Sequence, residues 1–407
     1  MKINLFNTLN IYQNLFQEDE NKRIINIYKL NSVILTGNNI FYPNVLLKTH
    51  DDLILPILEK TMSLKQSTNE NMSFNYKEIQ INNNIDTPVF FFIYNTNNYF
   101  HFLYDTLPYL ISYFKLKKDI PDIKLLMQYP NPQKLSMFKF VLEFLEILNI
   151  HQNQIIMASE NTLYKDLYIS TSYTHDFDSN LPPRKEIFDF FYNMVQIVKK
   201  NNSLNTIPKK IYVSRRSWLH NDFSNIGTNY TTRRKCMNED QLVDILLKNG
   251  YTEVFTENLS TIQKILYFSN ATNVVGAIGG GISNVLFSPK TTKLNAIVSP
   301  TFLDVNKRFK FCLDNVDVNY DFNTLHYEQK LIKKYMRVKT KDGNITGEIQ
   351  EIDGDNIIVF INNNETGWDL QNNYEQKKLH INDVINIDNG LNSSWIYMLD
   401  NDNKYLF

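Results

Sequence analysis

The sequence predicts a two-lobed α/β protein with parallel sheets covered on both faces, followed by a small β-rich appendage. Three observations carry this. Short β-rich apolar runs alternate with amphipathic helical stretches, the grammar of parallel sheets. A polar stretch without apolar period, Asn201 to Pro208, separates one such series from a second. Beyond about Lys333 the pattern changes to strands and tight turns, with Asp342-Gly343 and Asp353-Gly354 as hairpin signals. The expected domains are 1–200, 201–332 and 333–407.

At 407 residues the chain is long enough for two or three domains of about 150 residues each. Hydrophobic residues at 43% and aromatics at 13% exclude the profile of a disordered chain. Lys+Arg 42 against Asp+Glu 43 gives a net charge of -1, so no global field attracts nucleic acid or an anionic membrane. With only Cys236 and Cys312, neither a disulfide framework nor a thiolate metal cluster is expected, and a reducing compartment follows. The first twenty residues lack a signal-peptide pattern. The most apolar segment, Val89 to Phe114, is broken by Asn95, Asn97, Asn98, His101, Asp105 and Pro108, so no transmembrane segment is expected. A cytoplasmic protein, soluble or peripheral to a membrane, is the expectation.

In the first lobe, Val89 to Tyr94 reads as a strand and Tyr99 to Phe114 as a helix. Lys124 to Met127 is the next strand, followed by a helix near Gln133 to Leu148, strands at Ile155 to Met157 and Lys165 to Ser170, and a helix around Glu186 to Val198. In the second lobe, Ile211 to Val213 is a strand, Glu239 to Lys248 a helix closed by Gly250, and Thr252 to Phe255 a strand. Ser260-Thr261-Ile262-Gln263 has capping-box spacing and opens a helix to about Asn270. Asn273 to Ala277 and Leu294 to Val298 are strands, with glycines and a short helix between them.

Three segments carry chemistry. In Gly276 to Asn284, Gly279, Gly280 and Gly281 stand between a strand and a helix start, a pattern that serves either as a phosphate cradle or as a tight turn with close packing. It matches neither the dinucleotide fingerprint nor a P-loop, which argues against a nicotinamide-dependent oxidoreductase. Between Lys199 and Lys235 basic residues crowd, and Arg215 and Arg216 directly follow a strand, where open parallel sheets bind ligands. The alternative for that charge is a solvated basic face. His101 and Asp105 lie at i and i+4 on an otherwise apolar helix, either as a proton-abstracting carboxylate with an imidazole beside it or as a buried structural pair. The other histidines, His50, His151, His175, His220, His326 and His380, are scattered, so no zinc set forms.

In this order the segments resemble glycosyltransferase family 61. Its early block is similar to Tyr99-Phe100-His101 through Asp105 to Leu107-Pro108. Its central block resembles Ile211 to Arg216, then Arg233-Arg234 and Asn238-Glu239; its late block resembles Glu257 to Ser260 through Gln263, then Gly276 to Asn284 and Phe287. The resemblance covers roughly Pro88 to Pro300. The N-terminal 80 residues are compatible but unmotivated, and the tail lies outside the pattern. One departure is Ile278, where the family often has His, removing a side-chain contact to the donor.

The resemblance implies two Rossmann-like lobes of the GT-B type, the first for the acceptor and the second for the donor. It also implies inverting, metal-independent transfer from a nucleoside-diphosphate sugar, UDP-linked, to a hydroxyl of a glycan or glycoprotein. No cofactor beyond the donor and no metal are expected; the partners are donor and acceptor, and a homo-oligomer is allowed. Asp105 is then the candidate base, with His101 as its orienter or substitute. Arg215, Arg216, Gly279, Gly280 and Gly281 are the diphosphate groups; Ser283 and Asn284 are further donor contacts, and Glu257 and Glu239 candidates for ribose or sugar hydroxyls. Competing readings are a non-catalytic nucleotide- or glycan-binding module of the same fold and a metal-dependent transferase using Asp176 and Asp178 beside His175. Trp368 and Trp395 in the tail are candidates for sugar stacking or for core packing.

Overall fold

The computed structural model describes residues 11–16, 23–36, 46–48, 54–56, 81–93, 98–129, 135–159, 162–174, 181–204, 206–216, 235–236, 238–299, 307–326, 337–362, 374–386 and 396–399. Arg233, Arg234, His175, Asp176, Asp178, Trp368 and Trp395 lie outside these. The protein is a mixed α/β chain that divides into two units, Met1–Ser203 and Leu204–Phe407. Among the described residues no helix is long and apolar enough to cross a membrane.

The first unit is built on one sheet. Its strands are β1 (Ile11–Phe16), β2 (Ile25–Thr36), β3 (Leu46–Lys48), β4 (Ile54–Pro56), β5 (Asn83–Ile85), β6 (Val89–Phe91), β7 (Lys124–Met127), β8 (Ile155–Met157) and β9 (Thr162–Ser170). Strands β9-β6-β7-β8 run parallel to one another in that spatial order. Val89, Phe90 and Phe91 are fully buried, as a parallel strand covered on both faces requires. The helices are α1 (Tyr109–Asp119), α2 (Lys139–Ile147) and α3 (Glu186–Asn201). The N-terminal strands, which sequence patterning leaves unassigned, add an antiparallel flank: β2 pairs with β9, β1 and β3, and β3 with β4. The sheet is therefore mixed rather than wholly parallel.

The helix expected over Tyr99 to Phe114 is not continuous. His101–Thr106 is a π-helical turn, with the Leu107 N–H donating to Phe102 O at 2.7 Å, and α1 begins only after Pro108. Proline lacks the N–H that would bond the Tyr104 carbonyl and its ring crowds that carbonyl, so the ladder widens before it.

The second unit contains a five-stranded sheet in the order β12-β10-β13-β14-β15, all parallel. Its members are β10 (Lys210–Val213), β12 (Thr252–Val254), β13 (Asn273–Ala277), β14 (Lys293–Ile297) and β15 (Asp317–Asp321), and β11 (Lys235–Cys236) precedes β12 in the chain. The helices are α4 (Glu239–Lys248), α5 (Thr261–Asn270) and α6 (Lys307–Leu313). On one face Tyr212, Val275, Ala277 and Ile297 form a core with Leu242, Val243 and Leu246 of α4. The expected boundaries hold at both helices: Gly250 takes φ +78° after α4, and Ser260 and Gln263 cap α5 reciprocally at 3.2 and 2.8 Å.

Two further sheets complete this unit. The antiparallel sheet β20-β19-β18-β17-β21 comprises β17 (Arg337–Thr340), β18 (Thr346–Asp353), β19 (Asn356–Asn362), β20 (Tyr374–His380) and β21 (Val384–Asn386). It has its own core of Val338, Ile349, Ile357, Val359 and Val384. Gly343 and Gly354, at φ +81° and +58°, make the two hairpin turns. In the last sheet, β22 (Ile396–Leu399) lies between β11 and β16 (Thr324–His326). The end of the tail packs on the α/β part of this unit: Leu399 sits in the α4 core, and Asn238 brackets its backbone, accepting the Leu399 N–H at 2.9 Å and donating to its carbonyl at 3.0 Å.

Candidate active-site groups in the two units

In each unit the strand order of the parallel strands reverses at one point, the place at whose carboxyl edge open parallel sheets generally bind ligands. In the first unit that point lies between β6 and β9; in the second it lies between β10 and β13. The chemistry-bearing segments follow these strands.

After β6, Asn98 starts the helical segment: its Oδ1 accepts the His101 N–H at 3.2 Å and its carbonyl the Phe102 N–H at 2.8 Å. Tyr99 and Phe102 pack against Phe140 and Phe144 of α2, which fixes the segment on the sheet. His101 Nδ1 lies 2.7 Å from Asp105 Oδ2. The Asp105 side chain is 1% exposed and that of His101 22%. From the loop after β9, Thr174 donates its hydroxyl to Asp105 Oδ1 at 3.3 Å. The carboxylate is thus enclosed, with the imidazole on its outward side. A proton on Nδ1, donated to Asp105, would leave Nε2 available as the basic nitrogen.

After β10, the Ser214–Arg216 turn is held by Glu239, the first residue of α4. Glu239 Oε1 accepts from Tyr212 OH at 2.8 Å, Ser214 Oγ at 3.2 Å and the Arg215 N–H at 2.8 Å. Burial pushes the Glu239 carboxyl above the ordinary carboxylate range, against the pull of these donors and of the Arg215 charge. Glu239 thus sits inside the turn as the common acceptor of these three donors.

The two arginines part company. Arg216 forks onto Glu253 through Nε and Nη2 at 2.9 and 2.7 Å, and its Nη1 pairs with Asp240. Its guanidinium is engaged by two carboxylates of the same unit. Arg215 is only partly buried, and its charge favours the ionised forms of both Glu239 and Glu257.

After β13 Gly281 is used for space rather than for left-handed backbone, since it has φ -63° and, among the described residues, positive φ at glycine occurs only at Gly250, Gly343 and Gly354. A Cβ on Gly281 would stand 2.8 Å from Thr256 Oγ1 and 2.9 Å from Val213 Cγ1, so the loop presses against the ends of β10 and β12. The N–H groups of Gly279, Gly280 and Gly281 donate to no acceptor among the described residues. The following helix is a six-residue 3-10 turn, Ile282–Phe287. Within it Ser283 Oγ donates to Gly280 O at 2.6 Å and Asn284 Nδ2 to Gly281 O at 2.8 Å, both residues fully buried. They tie the start of this turn to the carbonyls of the glycine loop. Ile278 is buried, its N–H donating to Ile297 O at 3.0 Å.

Glu257 lies in the 3-10 turn after β12, with Oε1 buried and without a hydrogen-bond donor among the described residues. Burial pushes its carboxyl up, while the charges of Arg215 and Lys264 pull it down. Lys264 itself is 1% exposed. Sequence reasoning passed over it, although a lysine between the buried Thr261 and Phe268 of an apolar helix face is a readable signal. Thr174 gave no such signal, because its partner is 69 positions away in the chain.

The class that follows is transferase. A model of the glycosyltransferase 61 family matches residues 99–294, from Tyr99 beside the His101–Asp105 pair to Leu294 in β14, and so contains the groups gathered at both reversal points. Over this region, a little under half of its length, the chain is similar to glycosyltransferase family 61. No curated protein matches the chain.

Proposed function

We propose that the chain is an inverting, metal-independent glycosyltransferase of the GT-B type, moving a sugar from a nucleoside-diphosphate sugar, UDP-linked, to a hydroxyl of a glycan or glycoconjugate. The observation that carries this is the row of three N–H groups, Gly279 to Gly281, without an acceptor among the described residues, in the loop after β13, with Arg215 following the neighbouring strand β10 at the reversal point of a parallel sheet. Successive backbone donors with a nearby guanidinium suit a diphosphate, and they would stabilise the charge that develops on it as it leaves. Two α/β units, each with parallel strands that carry its own set of groups at a carboxyl edge, support the assignment of acceptor chemistry to the first and donor binding to the second.

The reaction forms a bond from the acceptor oxygen to the anomeric carbon and breaks the bond from that carbon to the diphosphate oxygen on the opposite face. The acceptor's proton goes to His101 Nε2. Asp105 holds the imidazole by Nδ1 and compensates the positive charge that arises, and Thr174 holds Asp105. Burial thus favours an exchange of the roles expected from sequence, with the imidazole as base and the carboxylate behind it. Glu257 Oε1 is assigned to the ribose hydroxyls. A cytoplasmic location belongs to the same reading, supported by Cys236 and Cys312, which are buried thiols rather than disulfide partners.

Two results test this. Arg215→Ala is expected to weaken nucleoside-diphosphate binding more than tenfold by calorimetry, removing a charge-assisted contact of about 1.5–3 kcal/mol. Arg216→Ala should instead lower the melting temperature and leave affinity nearer the wild-type value, because its partners are Glu253 and Asp240. Equal losses of affinity in both variants would refute the division. Transfer should also persist in EDTA; abolition by EDTA with recovery on adding Mn²⁺ would refute metal independence.

A further inference from the structure

Two carboxylates of the second unit each keep one oxygen buried with no hydrogen-bond donor among the described residues: Glu257 Oε1 and Asp321 Oδ2. Both stand at the carboxyl edge of the same parallel sheet, Glu257 three residues beyond the end of β12 and Asp321 as the last residue of β15. A buried carboxylate oxygen without a donor costs the folded state free energy, so two on one edge, flanking the glycine loop, call for donors brought by a ligand. Asp321 is 5% exposed. Its Oδ1 accepts the Asn323 N–H at 2.9 Å and its backbone carbonyl the Val298 N–H at 2.8 Å, which leaves Oδ2 alone unused.

The spacing along the sheet orders the ligand. Neighbouring strands lie roughly 4.8 Å apart, which puts the end of β15 about 10 Å from the end of β13, where the glycine loop begins. That is the reach of one sugar ring and a hydrogen bond from a diphosphate seated on Gly279 to Gly281. Glu257 stands on the other side of that seat, beyond β10. We propose that Asp321 is a specificity-determining residue, whose Oδ2 accepts a hydrogen bond from a hydroxyl of the transferred sugar. The assignment rests on the donor-site reading above. Asp321 lies beyond the family-matched region, which ends at residue 294, so it is a feature of this chain rather than of the shared segment.

The test is calorimetry on the full chain with UDP and with UDP-glucose, UDP-N-acetylglucosamine and UDP-xylose. Asp321→Asn keeps the size and the Oδ1 acceptor. It is expected to bind UDP as the wild type does and to bind the preferred UDP-sugar about tenfold more weakly, the loss of one charge-assisted hydrogen bond. Deoxygenated forms of that sugar supply a measurement on the wild-type protein. One of them should lose the same factor, and the variant should not distinguish it from the parent. Unchanged UDP-sugar affinity in the variant, or equal losses for UDP and UDP-sugar, would overturn the assignment. Failure of the wild type to bind UDP at all would overturn the donor-site reading itself.

Discussion

His101→Asn is expected to lower turnover by about 10²–10⁴-fold while donor affinity stays at the wild-type value. Asparagine places an amide N–H near the position of imidazole Nδ1–H, so the bond to Asp105 survives and the enclosed carboxylate keeps a donor. What disappears is Nε2, the atom assigned to receive the acceptor's proton. Asp105→Asn removes the anion that Nδ1–H and the Thr174 hydroxyl both address, so it should also depress turnover. Thr174→Val should act more weakly, and Thr174→Ser should restore it. Steady-state rates with saturating donor, set beside calorimetric donor binding, separate the cases. Near wild-type turnover in His101→Asn with an inactive Asp105→Asn would return the base to Asp105.

The same pair shows what sequence carried and what it could not. The i, i+4 spacing of His101 and Asp105 brought the two together correctly. Which one is enclosed depends on Thr174 and on a π-helical turn ahead of Pro108, and neither leaves a periodic trace. The second unit's strands were legible because buried parallel strands read as short apolar runs, and its glycine loop because three consecutive glycines are rare in a chain with twelve. Side-chain allegiance was not. Arg215 and Arg216 are adjacent and chemically identical, and only the folded arrangement brings Glu253 and Asp240 to the second of them. Likewise β22 is four residues long, and its place between β11 and β16 follows from pairings with segments far off in the chain. Local patterning contains no information on such contacts.

Glu239→Ala is expected to cost the second unit about 3–5 kcal/mol, a large part of the 5–15 kcal/mol that holds a typical domain. The substitution leaves the Tyr212 hydroxyl, the Ser214 hydroxyl and the Arg215 N–H without their common acceptor, and both Tyr212 and Ser214 are buried. Glu239→Gln keeps an acceptor oxygen and should differ little from the wild type at low pH. The two then diverge with a definite sign. Burial is the largest influence on the Glu239 carboxyl and raises it above 4.5, so the folded state holds this proton more tightly than the unfolded chain does. A raised carboxyl contributes stability at low pH and loses it as pH rises through the folded value. Glutamine does not titrate, so the stability of Glu239→Gln relative to wild type should grow from about pH 4.5 upward. All three tryptophans, Trp218, Trp368 and Trp395, fall in Leu204–Phe407, so denaturant unfolding followed by tryptophan fluorescence reports this unit. A difference that shrinks with rising pH would mean that donors from Tyr212, Ser214 and Arg215 outweigh burial, and that Glu239 grips the Arg215 turn as a stabilised anion.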